Sequence, residues 1–487
     1  MSIPAESFVL DPSYAGTLQQ QIQELVTQGI LSGRFQPGER MPSSRRLADQ
    51  LAVSRITVTL AYTELVSNDY LASRGRSGYF VSENAPRPPR FDVTEPLDGE
   101  GVDWSRALSQ RYSRYTPLAR PWDWRKYKFP FIYGQADASL FDHQNWRQCA
   151  LKALGQRDFE AMTSDYYERD DEKLVEFITR HILPRRGIAA RPNEVLLTLG
   201  AQNALWISSQ LLLTQRRTAA IENPCYPGLR EILEQTRCKL DVVDVDQDGL
   251  PPDELPADVD VVFSTASHHC PTNTTMPVER RRALLDRADR DGFIVVEDDY
   301  EFEMSFARSP SPALKSLDRN GCVIYIGSFS KSVFPGLRLG YLVGPAPFIN
   351  EARALRALVL RHPPGHSQRT AAYFLSLGHY DAQVRRMGAA YAQRRAVMDQ
   401  AIRDQNLTIA SSGTFGGSSF WMRAPEGVNT SDLALRLRDK GVLIEPGRAF
   451  FGPDDENHSF YRLAYSSIPP ARIPEGIALI AQAIGET

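Results

Sequence analysis

A short segment past the middle of the chain combines an amine, two hydroxyls and a guanidinium within eleven residues. Lys331 supplies the amine, Ser328 and Ser330 supply the hydroxyls, and Arg338 supplies the guanidinium. The amine could condense with an aldehyde, while the hydroxyls and the guanidinium could hydrogen-bond a phosphate. Because Lys331 follows an apolar, strand-like run, the segment predicts a binding site for a phosphorylated aldehyde.

A second strand-like run, about thirty residues upstream, ends in acidic and aromatic side chains. Residues 295–300 close with Asp298 and Tyr300. The carboxyl ends of strands are where α/β sheets bind ligands. A carboxylate and a phenol there could hydrogen-bond polar atoms of a bound ligand. Glu297 or Asp299 is the alternative carboxylate if the register is shifted by one residue.

A third segment could receive the phosphate. Gly200, Ala201 and Gln202 follow a strand-like run and open an apolar helix. The backbone N–H groups and the dipole at such a helix N-terminus favour a bound anion. One glycine is weak evidence alone, but together with Ser328, Ser330 and Arg338 the segment predicts a phosphate cup.

These residues require a sheet that presents its strand ends to one site. Beyond residue 129, helical stretches alternate with apolar runs at residues 194–198, 219–221, 259–263, 293–296 and 323–326. Such alternation predicts an α/β domain over residues 129–487, with a mainly parallel sheet covered by helices. The last hundred residues or so, about 375–487, predict a smaller α+β lobe.

The N-terminal part has a different pattern. Apolar residues at helical spacing predict a first helix that stops at Gly33, while Ser43 or Ser44 and then Ser54 could cap two shorter helices. Two alternating runs, at residues 70–73 and 79–81, predict a hairpin with a basic tip. Three helices and a hairpin predict a winged helix-turn-helix domain over residues 14–82.

Residues 83–128 predict a linker, because prolines, charges and glycines interrupt any periodicity there. As a coil it would span roughly 35 to 40 Å. Its second half, residues 111–128, mixes basic and aromatic side chains and could contact DNA or dock on the following domain. Docking is favoured, because aromatic side chains are seldom left free in water.

Composition excludes several classes of protein. The chain has 487 residues, which predicts two or three domains, and its net charge of −3 does not indicate a polyanion partner for the whole molecule. Residues 14–82 carry seven arginines and five acids, a modest local excess. No stretch approaches the roughly 20 apolar residues of a membrane span, and no secretion signal precedes residue 16, so we expect a cytoplasmic protein.

The cysteines predict neither disulfides nor a metal site. They are scattered, odd in number and without paired metal-ligand spacing, which suits reduced thiols. Cys225 and Cys270 fall near the predicted site, where we expect packing roles. The five are Cys149, Cys225, Cys238, Cys270 and Cys322.

Two family resemblances sharpen these predictions. Residues 37–48 and 53–58 resemble the DNA-binding domain of GntR-type regulators, in which the third helix enters the major groove and the wing glycine meets the minor groove. Ile56 and Thr59 stand where polar or basic residues are frequent. The resemblance implies DNA contacts for Arg45, Arg46, Ser54, Arg55, Thr57, Thr59 and Gly78.

The lysine segment resembles that of fold-type I enzymes that use pyridoxal 5′-phosphate (PLP). This resemblance implies that Lys331 forms a Schiff base, that Asp298 and Tyr300 hold the pyridine nitrogen and ring oxygen, and that Tyr226 stacks on the ring. Arg462 matches the arginine that receives a substrate carboxylate.

The order of winged helix, linker and aminotransferase-like domain resembles the MocR/GabR subfamily of GntR regulators. Residues 267–277 fit a subfamily segment, with His269 for Gln and Asn273 for Gly. The resemblance implies a head-to-tail homodimer that binds paired half-sites on double-stranded DNA. In relatives a tyrosine reaches the neighbouring subunit's phosphate, so Tyr166 or Tyr167 could do so here.

The predicted function is therefore a PLP-dependent regulator whose effector, an amine or amino acid, forms an external aldimine. By family analogy the effector could be GABA, taurine, another amino acid or an ectoine-derived diamine. Three alternatives remain: a working aminotransferase with an accessory DNA-binding domain, a sensor of PLP itself that controls vitamin B6 metabolism, and a scaffold that forms no Schiff base.

Overall fold

The computed structural model describes residues 2–86, 102–114, 120–135, 137–165, 167–307, 311–452 and 455–486. The chain divides into two compact units, Met1–Gln110 and Arg111–Thr487. Within these described ranges, no helix combines the length and the apolar character that crossing a membrane requires.

The first unit is a three-helix domain with a hairpin. The first three helices begin at hydroxyl side chains that accept a backbone N–H: Thr17, which was not predicted, and Ser43 and Ser54, which were predicted. Its elements are α1 (Leu18–Leu31), α2 (Ser44–Leu51), α3 (Arg55–Ser67), β1 (Leu71–Ser73), β2 (Tyr79–Val81) and α4 (Trp104–Ala107).

Helix α3 packs its apolar face into the core of this unit. Val58 and Tyr62 are fully buried, and the Tyr62 hydroxyl donates to the carbonyl of Pro42 at 3.1 Å. Strands β1 and β2 pair antiparallel, and a 3-10 turn at Gly75–Ser77 forms the tip between them. The unit is therefore the predicted winged helix-turn-helix.

The second unit holds two main sheets. Its strands are β3 (Phe129–Pro130), β4 (Val195–Thr198), β5 (Thr218–Asn223), β6 (Lys239–Asp244), β7 (Val261–Ser264), β8 (Ile294–Asp299), β9 (Val323–Ser328), β10 (Gly340–Val343), β11 (Thr408–Ser411), β12 (Ser419–Arg423), β13 (Val442–Leu443), β14 (Glu445–Pro446) and β15 (Phe460–Ala464).

Seven strands form the large sheet in the order β4-β10-β9-β8-β7-β5-β6. Only β10 runs antiparallel to both of its neighbours, so the predicted mainly parallel sheet is confirmed. The sequence patterns indicated five of these strands and missed β6 and β10. Strand β6 was not predicted because most of its side chains are exposed or half-buried, so its sequence contains no continuous apolar run.

Helices cover this sheet and build the smaller lobe. They are α5 (His143–Ala153), α6 (Phe159–Thr163), α7 (Glu172–Phe177), α8 (Ala201–Leu212), α9 (Pro227–Thr236), α10 (Val278–Asp291), α11 (Leu314–Leu317), α12 (Ala346–Leu360), α13 (Gly365–Ser376), α14 (His379–Asp404), α15 (Thr430–Asp439) and α16 (Ile473–Gly485).

The smaller lobe is α+β, as predicted. Its four-stranded sheet has the order β11-β12-β15-β14 and is antiparallel throughout. Helices α14, α15 and α16 share one apolar core with this sheet. The pairing of β14 with β15 places Glu445 directly opposite Arg462, which fixes two charged side chains at the edge of the lobe.

Candidate functional site

A cavity of about 400 Å³ lies at the carboxyl ends of β8 and β9. Apart from Gly200, every residue that we predicted to hold the cofactor or the effector lines this cavity. These lining residues are Ala201, Gln202, Tyr226, Asp298, Tyr300, Ser328, Ser330, Lys331, Arg338 and Arg462. Residues from distant parts of the sequence therefore converge on one space.

Lys331 follows the end of β9, and its amine faces the ring of Tyr133. The Nζ atom lies 4.2 Å from the ring centroid. Burial disfavours the charged ammonium and lowers the pKa of Lys331 to about 8. Gly134 leaves the space for this amine, because a Cβ there would lie 2.0 Å from Nζ. At neutral pH, a larger fraction of Lys331 is therefore in the uncharged form than is the case for an exposed lysine.

Strand alternation separates the three consecutive acids of β8. Glu297 accepts the backbone N–H groups of Leu314 and Lys315 at 2.8 and 2.9 Å. Asp299 is held by the Arg186 guanidinium at 2.7 Å. Both flanking acids are therefore engaged in structural contacts, and only Asp298 lines the cavity.

The Asp298 carboxylate is buried with an unsatisfied oxygen. Its Oδ1 atom has no hydrogen-bond partner within the described part of the chain. Burial, reinforced by the charges of Asp299 and Glu222, raises the pKa of Asp298 to about 7. A buried acceptor of this kind is costly unless a ligand donor reaches it.

Two tyrosines flank this carboxylate. The Tyr300 hydroxyl donates to the His268 carbonyl at 3.0 Å, and burial raises its pKa well above the usual value. Tyr226 precedes α9, and burial raises its pKa to about 12. The phenol of Tyr300 therefore remains protonated at neutral pH, and it could donate to an acceptor in the cavity by giving up its bond to His268.

Donors suited to an anion gather at the start of α8. Gly200 precedes this helix with φ of +79°, a conformation that glycine adopts without strain. The Arg338 guanidinium donates to the Leu199 carbonyl at 3.0 Å, which places it beside the helix N-terminus. The Ser328 hydroxyl accepts the Ser330 N–H at 3.2 Å, and the Ser330 hydroxyl oxygen is buried with no partner among the described residues.

Arg462 lies in the same cavity and is almost completely buried. Its Nε donates to Glu445 at 2.8 Å, and its guanidinium carbon lies 4.1 Å from the Tyr133 ring centroid. The other oxygen of Glu445 accepts from Arg120 at 2.9 Å. We call Arg120, Glu445 and Arg462 the arginine–glutamate cluster.

Sequence reasoning missed Arg120, Glu445, Tyr133 and Gly134. Arg120 belongs to the basic and aromatic segment for which docking was favoured over DNA contact. In the described residues 120–128 that docking is confirmed, since Arg120 pairs with Glu445 and Lys128 pairs with Glu475 at 2.6 Å. A spacing of more than 300 residues hides the Arg120 contact from any local pattern.

The two unusual residues in the segment at 267–277 have structural explanations. Asn273 has φ of +65°, which asparagine tolerates better than most residues. Its amide donates to the Gly416 and Ser419 carbonyls at 3.3 and 3.1 Å and so joins the segment to the smaller lobe. The ring of His269 lies 2.7 Å from the Thr272 hydroxyl.

The remaining predicted residues of this unit have separate positions. Tyr166 lies outside the described residues, while Tyr167 is 44% exposed. Cys225 is buried and its sulfur lies 3.1 Å from the Arg230 guanidinium, which fits a packing role. Cys270 lines the cavity, and burial raises the pKa of its thiol to about 11.

The first unit presents its predicted DNA contacts on α2, α3 and the hairpin. Arg45, Arg46 and Arg55 are exposed, whereas Thr57 and Thr59 are half-buried. The Ser54 hydroxyl is already engaged as the cap of α3. Beside these polar residues, Ile56 is 71% exposed, which gives the helix an apolar contact point.

Two known families match the chain in separate regions. The model of bacterial regulatory proteins of the gntR family matches residues 18–81, and that of aminotransferase class I and II matches residues 136–480. The second match covers well over half of the chain. The winged unit and the unit that contains the cavity therefore each correspond to a known family.

Several curated transcriptional regulators match nearly the whole chain. The HTH-type transcriptional regulator TauR of Rhodobacter capsulatus is 62% identical over 99% of this chain and 100% of its own length. The probable rhizopine catabolism regulatory protein MocR of Rhizobium meliloti is 29% identical over 96% of this chain and 94% of its own. The HTH-type pyridoxine biosynthesis transcriptional regulator PdxR of Corynebacterium glutamicum is 29% identical over 80% of this chain and 78% of its own length.

Solved structures support the fold of the second unit. The kynurenine aminotransferase of Pyrococcus horikoshii has a TM-score of 0.70 at 23% identity, covering 79% of this chain and 98% of its own. LysN, the α-aminoadipate aminotransferase of Thermus thermophilus, has a TM-score of 0.70 at 24% identity, and the match covers 79% of this chain and 99% of LysN. The chain is a transcriptional regulator with a fold-type I aminotransferase-like domain and belongs to the MocR/GabR subfamily of the GntR family.

Proposed function

We propose that this regulator binds PLP at Lys331 and senses a small amine or amino acid there, and that the effector changes how two winged units bind DNA. One observation carries the proposal. Lys331 and Asp298, one of whose carboxylate oxygens has no partner among the described residues, line the same cavity as the anion donors Ser330 and Arg338. This is the donor set that a phosphorylated pyridine aldehyde requires.

The residues present fit PLP on three separate grounds. Asp298 supplies a buried carboxylate oxygen that lacks a donor among the described residues, which suits a protonated pyridine nitrogen. Ser330 and Arg338 stand beside the start of α8, which suits the phosphate. Gly134 keeps the space around the lysine amine free of a side chain.

When bound, PLP supplies an aldehyde that condenses with primary amines. The protein prepares its own amine for that reaction, because burial lowers the pKa of Lys331 to about 8 and so increases the nucleophilic neutral form. Tyr300 can donate its hydroxyl proton toward the ring oxygen. Tyr226 offers its ring as a stacking surface.

Effector sensing follows from an exchange between two amines at one position. In this proposal an effector amine would replace the amine of Lys331 on the cofactor, and the rest of the effector would contact Arg462, which lines the same cavity. By linkage, the effector shifts DNA binding only if it binds one arrangement of the protein more tightly than the other. A homodimer with two winged units would bind paired half-sites.

For DNA we assign direct contacts to Arg55 and Thr57 on α3, and phosphate contacts to Arg45 and Arg46 on α2. Gly78 has φ of +96° and shapes the wing. Ser54 contributes through the α3 cap. Thr59 is half-buried, and its hydroxyl donates to the Arg55 carbonyl at 2.9 Å. We assign to its exposed part a contact with DNA.

The test is spectroscopic. Full-length protein purified with PLP should show visible absorbance, and borohydride should then attach the cofactor covalently to the peptide that contains Lys331. Lys331→Ala should show no covalent attachment, whereas Lys315→Ala, which changes a lysine paired with Asp318, should behave like the wild type. Wild-type protein that never becomes labelled would refute the proposal.

A second candidate function is a working aminotransferase with an accessory DNA-binding domain. It is favoured by one observation, because the lysine, aspartate, tyrosine and arginine that transamination uses all line the cavity. Steady-state turnover with amino-acid and keto-acid pairs distinguishes it from a regulator. Our proposal expects binding of amines without sustained turnover, and turnover at ordinary enzyme rates of about 1 s⁻¹ or more would favour the enzyme.

A further inference from the structure

We infer that Arg120 acts together with Arg462 as the receptor for an anionic group on the effector. The resemblance already assigns a carboxylate to Arg462, so the new element is Arg120, which lines the same cavity and would make an anionic group on the effector a requirement for tight binding. The inference deepens the proposed function and rests on it, because it concerns the same cavity.

The arginine–glutamate cluster leaves donors free for a ligand. Each guanidinium contacts Glu445 through its Nε atom, at 2.9 Å for Arg120 and 2.8 Å for Arg462. The Nη1 atom of Arg462 has a weak contact with the Cys270 sulfur at 4.0 Å. A guanidinium carries five N–H donors, so within the described part of the chain most of the donors of the cluster have no protein acceptor and could bind an anion.

The cluster also carries an excess of positive charge. The neighbouring guanidinium groups of Arg462 and Arg120 lower the pKa of Glu445, so its carboxylate is ionised at neutral pH. Two guanidinium groups beside one carboxylate leave one net positive charge. The Arg462 and Glu445 side chains are almost fully buried and that of Arg120 is 28% exposed, so water solvates this charge only in part and an anionic ligand would neutralise it.

The position of the cluster limits the length of the effector. The Lys331 amine lies 4.2 Å and the Arg462 guanidinium carbon 4.1 Å from the same Tyr133 ring centroid, so the two are at most about 8.3 Å apart. A bidentate pair with a carboxylate occupies about 4 Å of that span. This upper bound excludes a long effector, because a spacer of more than about three carbon atoms between the amine and the anion would exceed the remaining distance.

Arg120 gives the effector access to the connecting segment. Arg462 and Glu445 lie on paired strands of the smaller lobe, whereas Arg120 precedes β3 on the segment that leads along the chain from the winged unit. An anion that binds the remaining N–H groups of Arg120 competes with Glu445 for the same guanidinium and so weakens the contact between Arg120 and the smaller lobe. Occupancy of the cavity would thereby change how this segment is held.

The competing explanation is that Arg120 only fastens the segment to Glu445. A fastening role predicts that removing Arg120 affects every amine equally. A receptor role predicts an effect that depends on the charge of the ligand. Probes of matched length, with and without an anionic group, therefore separate the two explanations.

The experiment titrates full-length, PLP-loaded protein with 3-aminopropanoate, 2-aminoethanesulfonate and n-propylamine, and follows the change in cofactor absorbance. The variants are Arg120→Ala, Arg120→Gln and Arg120→Lys. The control is Arg125→Ala, which removes an exposed arginine from the same segment whose guanidinium stacks on Trp124 at 4.6 Å.

We expect Arg120→Ala to weaken the better-bound anionic probe by about 10- to 100-fold, the size of a lost charge-assisted hydrogen bond. Binding of n-propylamine should change by less than about threefold, within the range of one weak contact. Arg120→Lys should recover part of the affinity, Arg120→Gln less, and Arg125→Ala should match the wild type. The relative affinities of the two anionic probes identify carboxylate or sulfonate as the preferred group.

Equal weakening of the charged and uncharged probes by Arg120→Ala would overturn the inference and leave the fastening role. No weakening of either would overturn it as well. In both cases wild-type protein still binds amines, so the proposed function stands. Wild-type protein that binds no amine at all would instead remove the proposed function, and the inference with it.

A second measurement uses DNA. An operator selected from random duplexes should change its affinity for wild-type protein when the better-bound anionic probe is added. Arg120→Lys should retain part of this response, whereas Arg120→Ala should lose it at probe concentrations that saturate the cavity. A full response from saturated Arg120→Ala would show that the segment is not coupled through this arginine.

Discussion

The two units place their functional charges in opposite environments. In the winged unit the Arg46–Glu6 pair has both side chains more than 60% exposed. In the aminotransferase-like unit the Arg186–Asp299 and Arg462–Glu445 pairs are at most 3% exposed. Water and salt screen the first kind of charge, whereas the second kind interacts strongly with its neighbours.

The two environments suit the two recognition tasks that this chain combines. Exposed arginines suit DNA, because phosphate contacts form quickly and require little reorganisation. Buried charges suit a chemical site, because desolvation brings the pKa of Lys331 and that of Asp298 close to neutral pH. Three substitutions and one pH profile test the comparison, beginning with the largest expected effect.

Breaking a buried pair should destabilise the second unit strongly. Arg186→Met leaves Asp299 buried without its 2.7 Å partner, so we expect a loss of about 3 to 5 kcal/mol in the free energy of unfolding. Urea unfolding followed by circular dichroism measures it. Arg46→Met breaks the exposed pair with Glu6 and should leave the unfolding midpoint of the winged unit unchanged. Equal losses of unfolding free energy in the two variants would contradict the comparison.

An exposed arginine should matter for DNA instead of stability. Arg55→Ala should weaken operator binding by about 5- to 150-fold, because a base contact by arginine contributes about 1 to 3 kcal/mol. Fluorescence anisotropy at fixed salt measures this loss. Arg34→Ala removes an exposed arginine between α1 and α2 and should bind nearly as wild type; similar losses in both variants would argue against α3 as the reading helix.

The buried carboxylate should set cofactor affinity. Asp298→Asn removes the charge that pairs with a protonated pyridine nitrogen, so PLP affinity should fall by about 10- to 100-fold. Equilibrium dialysis measures it, with Glu426→Gln as an exposed control. Unchanged affinity in Asp298→Asn would mean that another group holds the ring nitrogen.

The rate of PLP uptake should report the buried amine. Only neutral Lys331 attacks the aldehyde, and its pKa is lowered to about 8, so the rate should rise about tenfold from pH 7 to 9 and then level off. Stopped-flow absorbance measures the profile. A rate that keeps rising tenfold per pH unit to pH 10 would show that the amine titrates as an exposed lysine.

The sequence predicted features that depend on local pattern. The caps at Ser43 and Ser54, the buried face of α3 and the apolar strands of the large sheet all follow from nearby residues. The lysine segment was visible for the same reason, since its amine, hydroxyls and guanidinium lie together. Strand alternation then favours Asp298 over its neighbours, which the sequence had left open.

Features that depend on distant residues were not visible. Arg120 meets Glu445 across 325 residues, and Arg186 meets Asp299 across 113. No periodicity encodes such pairs, because they form only when separate elements pack together. Gly134 was missed for the same reason, since its importance lies in the space that it leaves for Lys331.

The central claim is that exchange of amines at Lys331 controls DNA binding. Borohydride reduction of PLP-loaded protein would fix the cofactor on Lys331 and prevent that exchange. Operator affinity should then be the same with and without 3-aminopropanoate or 2-aminoethanesulfonate, whereas unreduced protein should respond to at least one of them. Protein treated with borohydride before PLP is added should respond normally; a full response from the reduced, PLP-loaded protein would contradict the account.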